Sequence, residues 1–354
     1  SLSAARVKLD ETADIDLGST FRSYYINDQR IQWSGVEASF GVEAVLSADL
    51  QKKIKKGNIR VFSEMFLNQP FDRNILKDEW RAKYLANFEI TPLYIAQSYI
   101  EVIQGNFSFA LGKKKTNFGE NYSYPLVNSY SDQPFIRTEA ILRYETGFFL
   151  AYRPGLLDFS LAVVNGGEEM DTNSSKGGII RLGLKGKNWA LGISAKAQDG
   201  IGSEKQKQYK NHAGLDMMMK TGRFRFSAEV IYDEYGFRKE YNEQDIFWKR
   251  SFYYRDIFYK YETPVTGIGG YFELQYESSK WLAAANYGEY YPEEIGQPFH
   301  DDPVKRTVIK FRVCLAPGFH LFCMGLFENK RRQEVLFQGS SDYAFLFGLQ
   351  YRLD

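Results

Sequence analysis

Tyr343-Ala344-Phe345-Leu346-Phe347-Gly348-Leu349-Gln350-Tyr351-Arg352-Leu353 runs almost to the end of the chain in strict alternation. Every odd position is apolar or aromatic, while the even positions are Ala344, Leu346, Gly348, Gln350 and Arg352. Side chains of a β-strand point alternately to its two faces, so a period of two marks a strand whose faces meet different surroundings. About eleven residues is long enough for a tilted strand to cross a bilayer. Helical spacing fits this window less well.

The same pattern recurs upstream. Val36, Ala38, Phe40, Val42, Ala44, Leu46, Ala48 and Leu50 share one face, with Glu37, Ser39, Gly41 and Glu43 between them. Trp189, Leu191, Ile193 and Ala195 repeat it, as do Phe224, Phe226, Ala228, Val230 and Tyr232. Ile268, Gly270, Phe272, Leu274 and Tyr276 form another set. The one helix-like stretch, 74–86, falls in a connection.

The connections alternate in length. Tight turns rich in Gly, Pro, Asn or Ser fall at Lys55-Lys56-Gly57, Gln104-Gly105-Asn106, Pro154-Gly155, Gly186-Lys187-Asn188, Thr221-Gly222, Ser278-Ser279 and Pro317-Gly318. Longer polar connections lie between them at 27–35, 68–92, 113–135, 165–177, 198–211, 234–266, 288–303 and 328–341. Seven turns and eight loops imply about sixteen strands, with fourteen or eighteen as the neighbouring even counts. The pattern predicts one all-β domain over 1–354: a transmembrane antiparallel β-barrel with short periplasmic turns and long outer loops. A short N-terminal segment, 1–12, is expected on the periplasmic side. The chain opens Ser1-Leu2-Ser3 without Met, which suggests a mature or trimmed form.

Composition narrows the function classes. The formal net charge is +1 over 354 residues, and nucleic-acid binding calls for a basic excess. Two cysteines exclude a disulfide scaffold and a thiolate zinc cluster. No run of 18 apolar residues is present, so no helix is expected to span a membrane. The mean hydropathy of −0.41 is compatible with a barrel, whose lipid-facing and lumen-facing residues average out. A soluble sandwich or propeller is disfavoured by strand length, which averages five or six residues in soluble proteins. It is disfavoured too by aromatics such as Tyr25, Tyr144, Tyr152, Trp189, Tyr232, Tyr276, Trp281, Tyr287, Tyr343 and Tyr351, placed as in interfacial girdles. No repeat of propeller length is visible.

Gly348-Leu349-Gln350-Tyr351-Arg352-Leu353 resembles the C-terminal assembly signal of bacterial outer-membrane proteins, although the chain ends Leu353-Asp354 rather than in Phe. A second resemblance covers roughly 94–200. Ser98-Tyr99-Ile100-Glu101, Phe107-Ser108-Phe109-Ala110-Leu111-Gly112-Lys113-Lys114, Asn117-Phe118-Gly119 and Val164-Asn165-Gly166 look like the front half of the phosphate-selective (O/P-type) and related sixteen-stranded porins. Asn117 stands where that family usually has Pro. The resemblance implies an outer-membrane channel for passive diffusion of small hydrophilic solutes or ions. It also implies a constriction formed by loop 113–135, a homotrimer, and no cofactor. A barrel closed by its loops, structural or adhesive, is the alternative.

The alternation assigns Arg137, Glu139, Arg143, Glu145, Arg181, Arg225 and Arg312 to the lumen, along with Arg22, Arg60, Glu43, Asp216, Glu229, Glu273 and Lys310. Such charges either pair across strands or set ion selectivity. Lys113-Lys114-Lys115 is the sharpest candidate for attracting anions at the constriction. The plainer accounts are a solvated charge run or contacts to lipopolysaccharide phosphates. Lys52, Lys53, Lys55 and Lys56 suit a solvated periplasmic rim. The aromatics of 234–266 suit self-packing of that loop better than a sugar track. Asp301 and Asp302, beside His300, Glu293 and Glu294, are lesser metal candidates, because their spacing is not that of an EF-hand. His212, His300 and His320 are the only histidines, and none adjoins a recognisable nucleophile motif, so no enzyme is expected.

Cys314 and Cys323 flank the turn at Pro317-Gly318. A hairpin centred between Gly318 and Phe319 would set them directly opposite and allow a disulfide. A slip of one residue would put them on opposite faces and forbid it.

Overall fold

The computed structural model describes residues 5–9, 12–28, 38–67, 93–119, 144–165, 176–201, 208–237, 265–293, 304–329 and 343–353. Among these there is no helix. The strands are β1 (Ala5–Lys8), β2 (Ala13–Asp28), β3 (Ala38–Ile54), β4 (Gly57–Leu67), β5 (Leu93–Gln104) and β6 (Phe107–Lys115). They continue with β7 (Tyr144–Tyr152), β8 (Leu157–Val164), β9 (Gly177–Lys185), β10 (Trp189–Ile201), β11 (Gln208–Thr221) and β12 (Phe224–Phe237). The last five are β13 (Val265–Glu277), β14 (Trp281–Glu293), β15 (Val304–Ala316), β16 (Phe319–Asn329) and β17 (Tyr343–Leu353). The expected helix-like stretch at 74–86 lies outside the described residues.

From β2 to β17 each strand pairs antiparallel with its neighbour in sequence, and β17 then pairs with β2. This closes a barrel of sixteen strands and leaves no open edge. Closure is register-specific, with Phe347 opposite Tyr25 and Gln350 opposite Arg22. The short β1 lies on the same edge of β2 beyond the end of β17. It pairs Ala5 with Leu17 and Lys8 with Asp14, whereas β17 stops at Ser19.

The outer wall is apolar, as the alternation requires. Tyr343, Phe345, Phe347, Leu349 and Tyr351 are exposed on β17, and Trp189, Leu191 and Ile193 on β10. The intervening side chains are buried within the barrel, Ala344, Leu346 and Gln350 on β17 and Ala190, Ser194 and Lys196 on β10. Aromatics of the outer wall stack on one another near the turns: Phe107 on Tyr152 at 4.3 Å and Tyr276 on Trp281 at 4.4 Å between ring centres. Tyr144 departs from the expected girdle. It is buried and packs edge-on against Phe66.

The turns are tight. Pro154 accepts a hydrogen bond from Leu157 N at 3.1 Å around Gly155, whose φ of 60° favours glycine. Gly318 closes the β15–β16 hairpin with φ 72°. That hairpin corrects the disulfide expectation. Cys314 stands opposite His320, while Cys323 stands opposite Phe311, three residue pairs away. The turn is centred on Pro317 and Gly318, and a register shift between Cys314 and Ala316 moves the pairing by one residue, so Cys314 falls in line with inward Lys310 and Cys323 in line with outward Leu321. Both cysteines are free.

Candidate functional site in the barrel interior

The interior is an arrangement of inward charges and a short inward excursion of the chain. Strand β6 pairs with β5 and β7 through Lys115, so Lys113–Lys115 belong to a strand and not, as expected, to the loop. Alternation along β6 then separates the three lysines. Lys114 faces inward beside Glu145, and its Nζ donates to Glu101 Oε1 at 2.7 Å. It also lies 4.8 Å from the centre of the Tyr99 ring. Lys113, 7% exposed, stands on the other parity opposite Ser98 and Thr146. Lys115 ends the strand.

After Lys115 the chain leaves the wall. Asn117 Nδ2 donates to Ser160 Oγ on β8 at 3.0 Å, and Gly119 N donates to Ser194 Oγ on β10 at 2.9 Å. Phe118, 0% exposed, presents its ring edge-on to His212 on β11 at 6.4 Å. It packs in one cluster with Tyr99, Phe149, Ile179, Ile231 and Tyr271. Gly214 makes room for it, since a β-carbon there would stand 2.9 Å from the ring. Four residues thus reach from β6 past β7 to β8, β10 and β11.

Beneath this excursion lies a cavity of about 210 Å³, lined by Lys114, Lys115, Asn117, Arg153, Asp158 and Arg181 among others. Arg181 is its buried keystone. Its Nη1 donates to Asp158 Oδ2 at 2.7 Å and its Nη2 to Asp216 Oδ2 at 2.6 Å. Arg153 Nε reaches the other oxygen of Asp158 at 2.8 Å. Close pairing of this kind is strong where water is scarce.

Three further clusters line the wall. Arg60 holds Asp49 through two nearly parallel bonds of 2.9 and 2.8 Å, with its guanidinium 5.0 Å from the Phe62 ring centre. Lys196 pairs with Glu145. Arg22 donates to Glu43 and to Gln350, across the closure of the barrel. On β13 and β15 the contacts are longer, with Lys310 at 3.9 Å from Glu273 and Arg312 at 3.9 Å from Glu277. Arg225 lies half-buried, opposite Lys220 and Gln275.

Between these clusters runs an apolar arc. Tyr24, Val308, Phe322, Met324, Leu326 and Leu346 face inward, and each is at most 2% exposed. Arg137, Glu139 and Arg143 lie outside the described residues, as do Asp301 and Asp302. No group of three metal-binding side chains occurs among the described residues. The sequence reading missed Asp49, Asp158, Lys196 and Arg306 as interior residues. Asp49 shares the odd parity of Glu43 on β3, and Lys196 follows the inward parity of β10, so the alternation carried that signal.

No family model matches the sequence, and no curated protein does. Solved structures do. The outer membrane channel DcaP of Acinetobacter baumannii matches with a TM-score of 0.66 at 10% identity, covering 99% of this chain and 100% of that one. OmpF of Salmonella typhi, solved with daunomycin, matches with a TM-score of 0.66 at 9% identity, covering 98% and 100%. An anion-selective porin from Comamonas acidovorans matches with a TM-score of 0.61 at 9% identity, covering 96% and 99%. At these identities the likeness is one of fold. The structural neighbours of this chain are thus bacterial outer-membrane porins and channels.

Proposed function

We propose that this protein is a porin of a bacterial outer membrane. It carries small hydrophilic solutes by passive diffusion, without chemistry and without a cofactor. The observation that carries the reading is the seating of Asn117, Phe118 and Gly119 on the inner wall. A segment entering the lumen there narrows any path through the barrel, as the porin-like motif at Gly112-Lys113-Lys114 implies. We further propose a phosphate-selective-like subtype with anion preference. The support is the cavity under that segment, where Lys114, Lys115, Arg153 and Arg181 outnumber Asp158. Cations lining a narrow passage raise the local concentration of anions. Lipopolysaccharide as a neighbour and assembly as a homotrimer belong to the same proposal; one neighbour, OmpT of Vibrio cholerae, is described in a trimer form.

The test is conductance of purified protein in a planar bilayer, with the reversal potential read under a KCl gradient. Chloride-favouring steps in groups of three are the expected result. Cation preference would remove the anion assignment and keep the channel. Silence from demonstrably folded protein would favour a second reading, a closed structural or adhesive barrel. The apolar arc of Phe322, Met324, Leu326 and Leu346 supports that reading, because a water-filled lumen would not be expected to bury such a face.

A further inference from the structure

Five of the seven turns carry exposed cations, the β5–β6 and β15–β16 turns being the exceptions. Lys55 and Lys56 form the β3–β4 turn, Arg153 opens the β7–β8 turn, Lys187 lies in the β9–β10 turn, Arg223 in the β11–β12 turn and Lys280 in the β13–β14 turn. All are exposed. Lys52, Lys53, Lys185 and Lys220 flank these turns and are exposed too. The turn residues themselves, 55–56, 104–106, 153–156, 186–188, 221–223, 278–280 and 317–318, include no carboxylate; Glu277 and Asp158 flank them, and Asp158 pairs with Arg153. A chain that is neutral overall therefore ends, on this side, in a ring of positive charge broken at the β5–β6 and β15–β16 turns.

A second feature fixes the height of that ring. Tyr152 directly precedes Arg153, Trp189 follows Lys187 by two residues, Phe224 follows Arg223 and Trp281 follows Lys280. Trp189, Phe224 and Trp281 are exposed on the outer wall, and Phe107 stacks on Tyr152 there. Arg223 Nη1 also donates to the Tyr276 hydroxyl at 3.2 Å, tying a turn cation to the aromatic band. Amphipathic rings on a membrane barrel settle at headgroup depth. Cations one or two residues beyond them stand in the phosphate layer.

We propose that this turn-end ring is a docking surface for anionic phospholipid headgroups in the leaflet it faces. Repetition supports lipid over a single soluble anion: four successive hairpins, from β7–β8 to β13–β14, carry the same aromatic-and-cation step, which suits a row of headgroups along that half of the wall rather than one pocket. Each engaged cation contributes roughly fivefold to partition onto an anionic surface, and salt screens the effect. The proposal rests on the chain being a membrane barrel, not on channel activity.

The experiment is tryptophan quenching of the full chain, reconstituted in vesicles containing brominated phosphatidylglycerol or brominated phosphatidylcholine. Trp189 and Trp281 sit beside the proposed surface. The expected result is several-fold stronger association with phosphatidylglycerol at low salt, lost at high salt. The same preference should fall in a Lys187→Gln, Arg223→Gln, Lys280→Gln variant that still shows heat-modifiable mobility. Equal quenching by both lipids in the unaltered protein overturns the proposal. A preference that persists in high salt, or that survives in the folded variant, overturns it too. Quenching by neither lipid overturns the membrane reading itself, and this assignment with it.

Discussion

Lys196 on β10 donates from Nζ to Glu145 Oε1 on β7, spanning two intervening strands, and the two side chains are 1% and 0% exposed. Two buried charges in contact stand or fall together. Removing one leaves the other without compensation, at a cost of about 3 kcal/mol or more, whereas replacing both with apolar side chains is often neutral. Glu145→Leu or Lys196→Met alone is therefore expected to lower the temperature at which the barrel loses its heat-modifiable mobility. The double variant should recover most of the loss. Additive losses would show that the pair is not coupled.

Arg181 is bound by two carboxylates at once, Asp158 and Asp216, beside the cavity under Phe118. Arg181→Gln removes a positive charge from that cavity, takes the Arg181 bond away from Asp216 and leaves Asp158 to Arg153. It is expected to move the KCl reversal potential toward potassium. Asp158→Asn, which leaves Arg153 and Arg181 without a shared partner, should move it toward chloride. If neither variant moves it, the cavity is not on the ion path.

How far the fold could be read from sequence follows from which signals are local. Period two in 343–353 and the short-long rhythm of the connections are properties of neighbouring residues, and they carried the strand count. Orientation followed where alternation was unbroken, as at Glu43 and Glu273. Partners were not legible. Arg181, Asp158 and Asp216 come from β9, β8 and β11, and only closure of the wall brings them together. The inward course of 116–119 was implied by a resembling motif, but its landing points at Ser160 and Ser194 carry no mark in the sequence.

The Cys314 hairpin shows how one irregular residue beside a turn changes chemistry. Because Cys314 lies opposite His320 and Cys323 lies opposite Phe311, the two native thiols should both react in denaturant without prior reduction. His320→Cys should place a new thiol directly across from Cys314. Mild oxidation is then expected to lower the intact mass by two hydrogens and to leave only Cys323 reactive. A Cys314–Cys323 bridge in the unaltered protein would show that the hairpin is shifted.

Phe118 offers the sharpest test of the interior. Its ring is fully buried between Tyr99 on β5 and Ile231 on β12, with Gly214 recessed to admit it. Phe118→Ala removes the apolar side chain that anchors the excursion, at a cost of about 3 kcal/mol when a buried aromatic leaves a cavity. Without that anchor the hydrogen bonds of Asn117 and Gly119 are left to hold the segment alone. Single-channel conductance is expected to rise and become noisier, while Phe118→Leu stays close to the unaltered protein. Gly214→Phe, which competes for the same space, should act in the direction of Phe118→Ala. Unchanged conductance in all three folded variants would show that the segment does not limit the path.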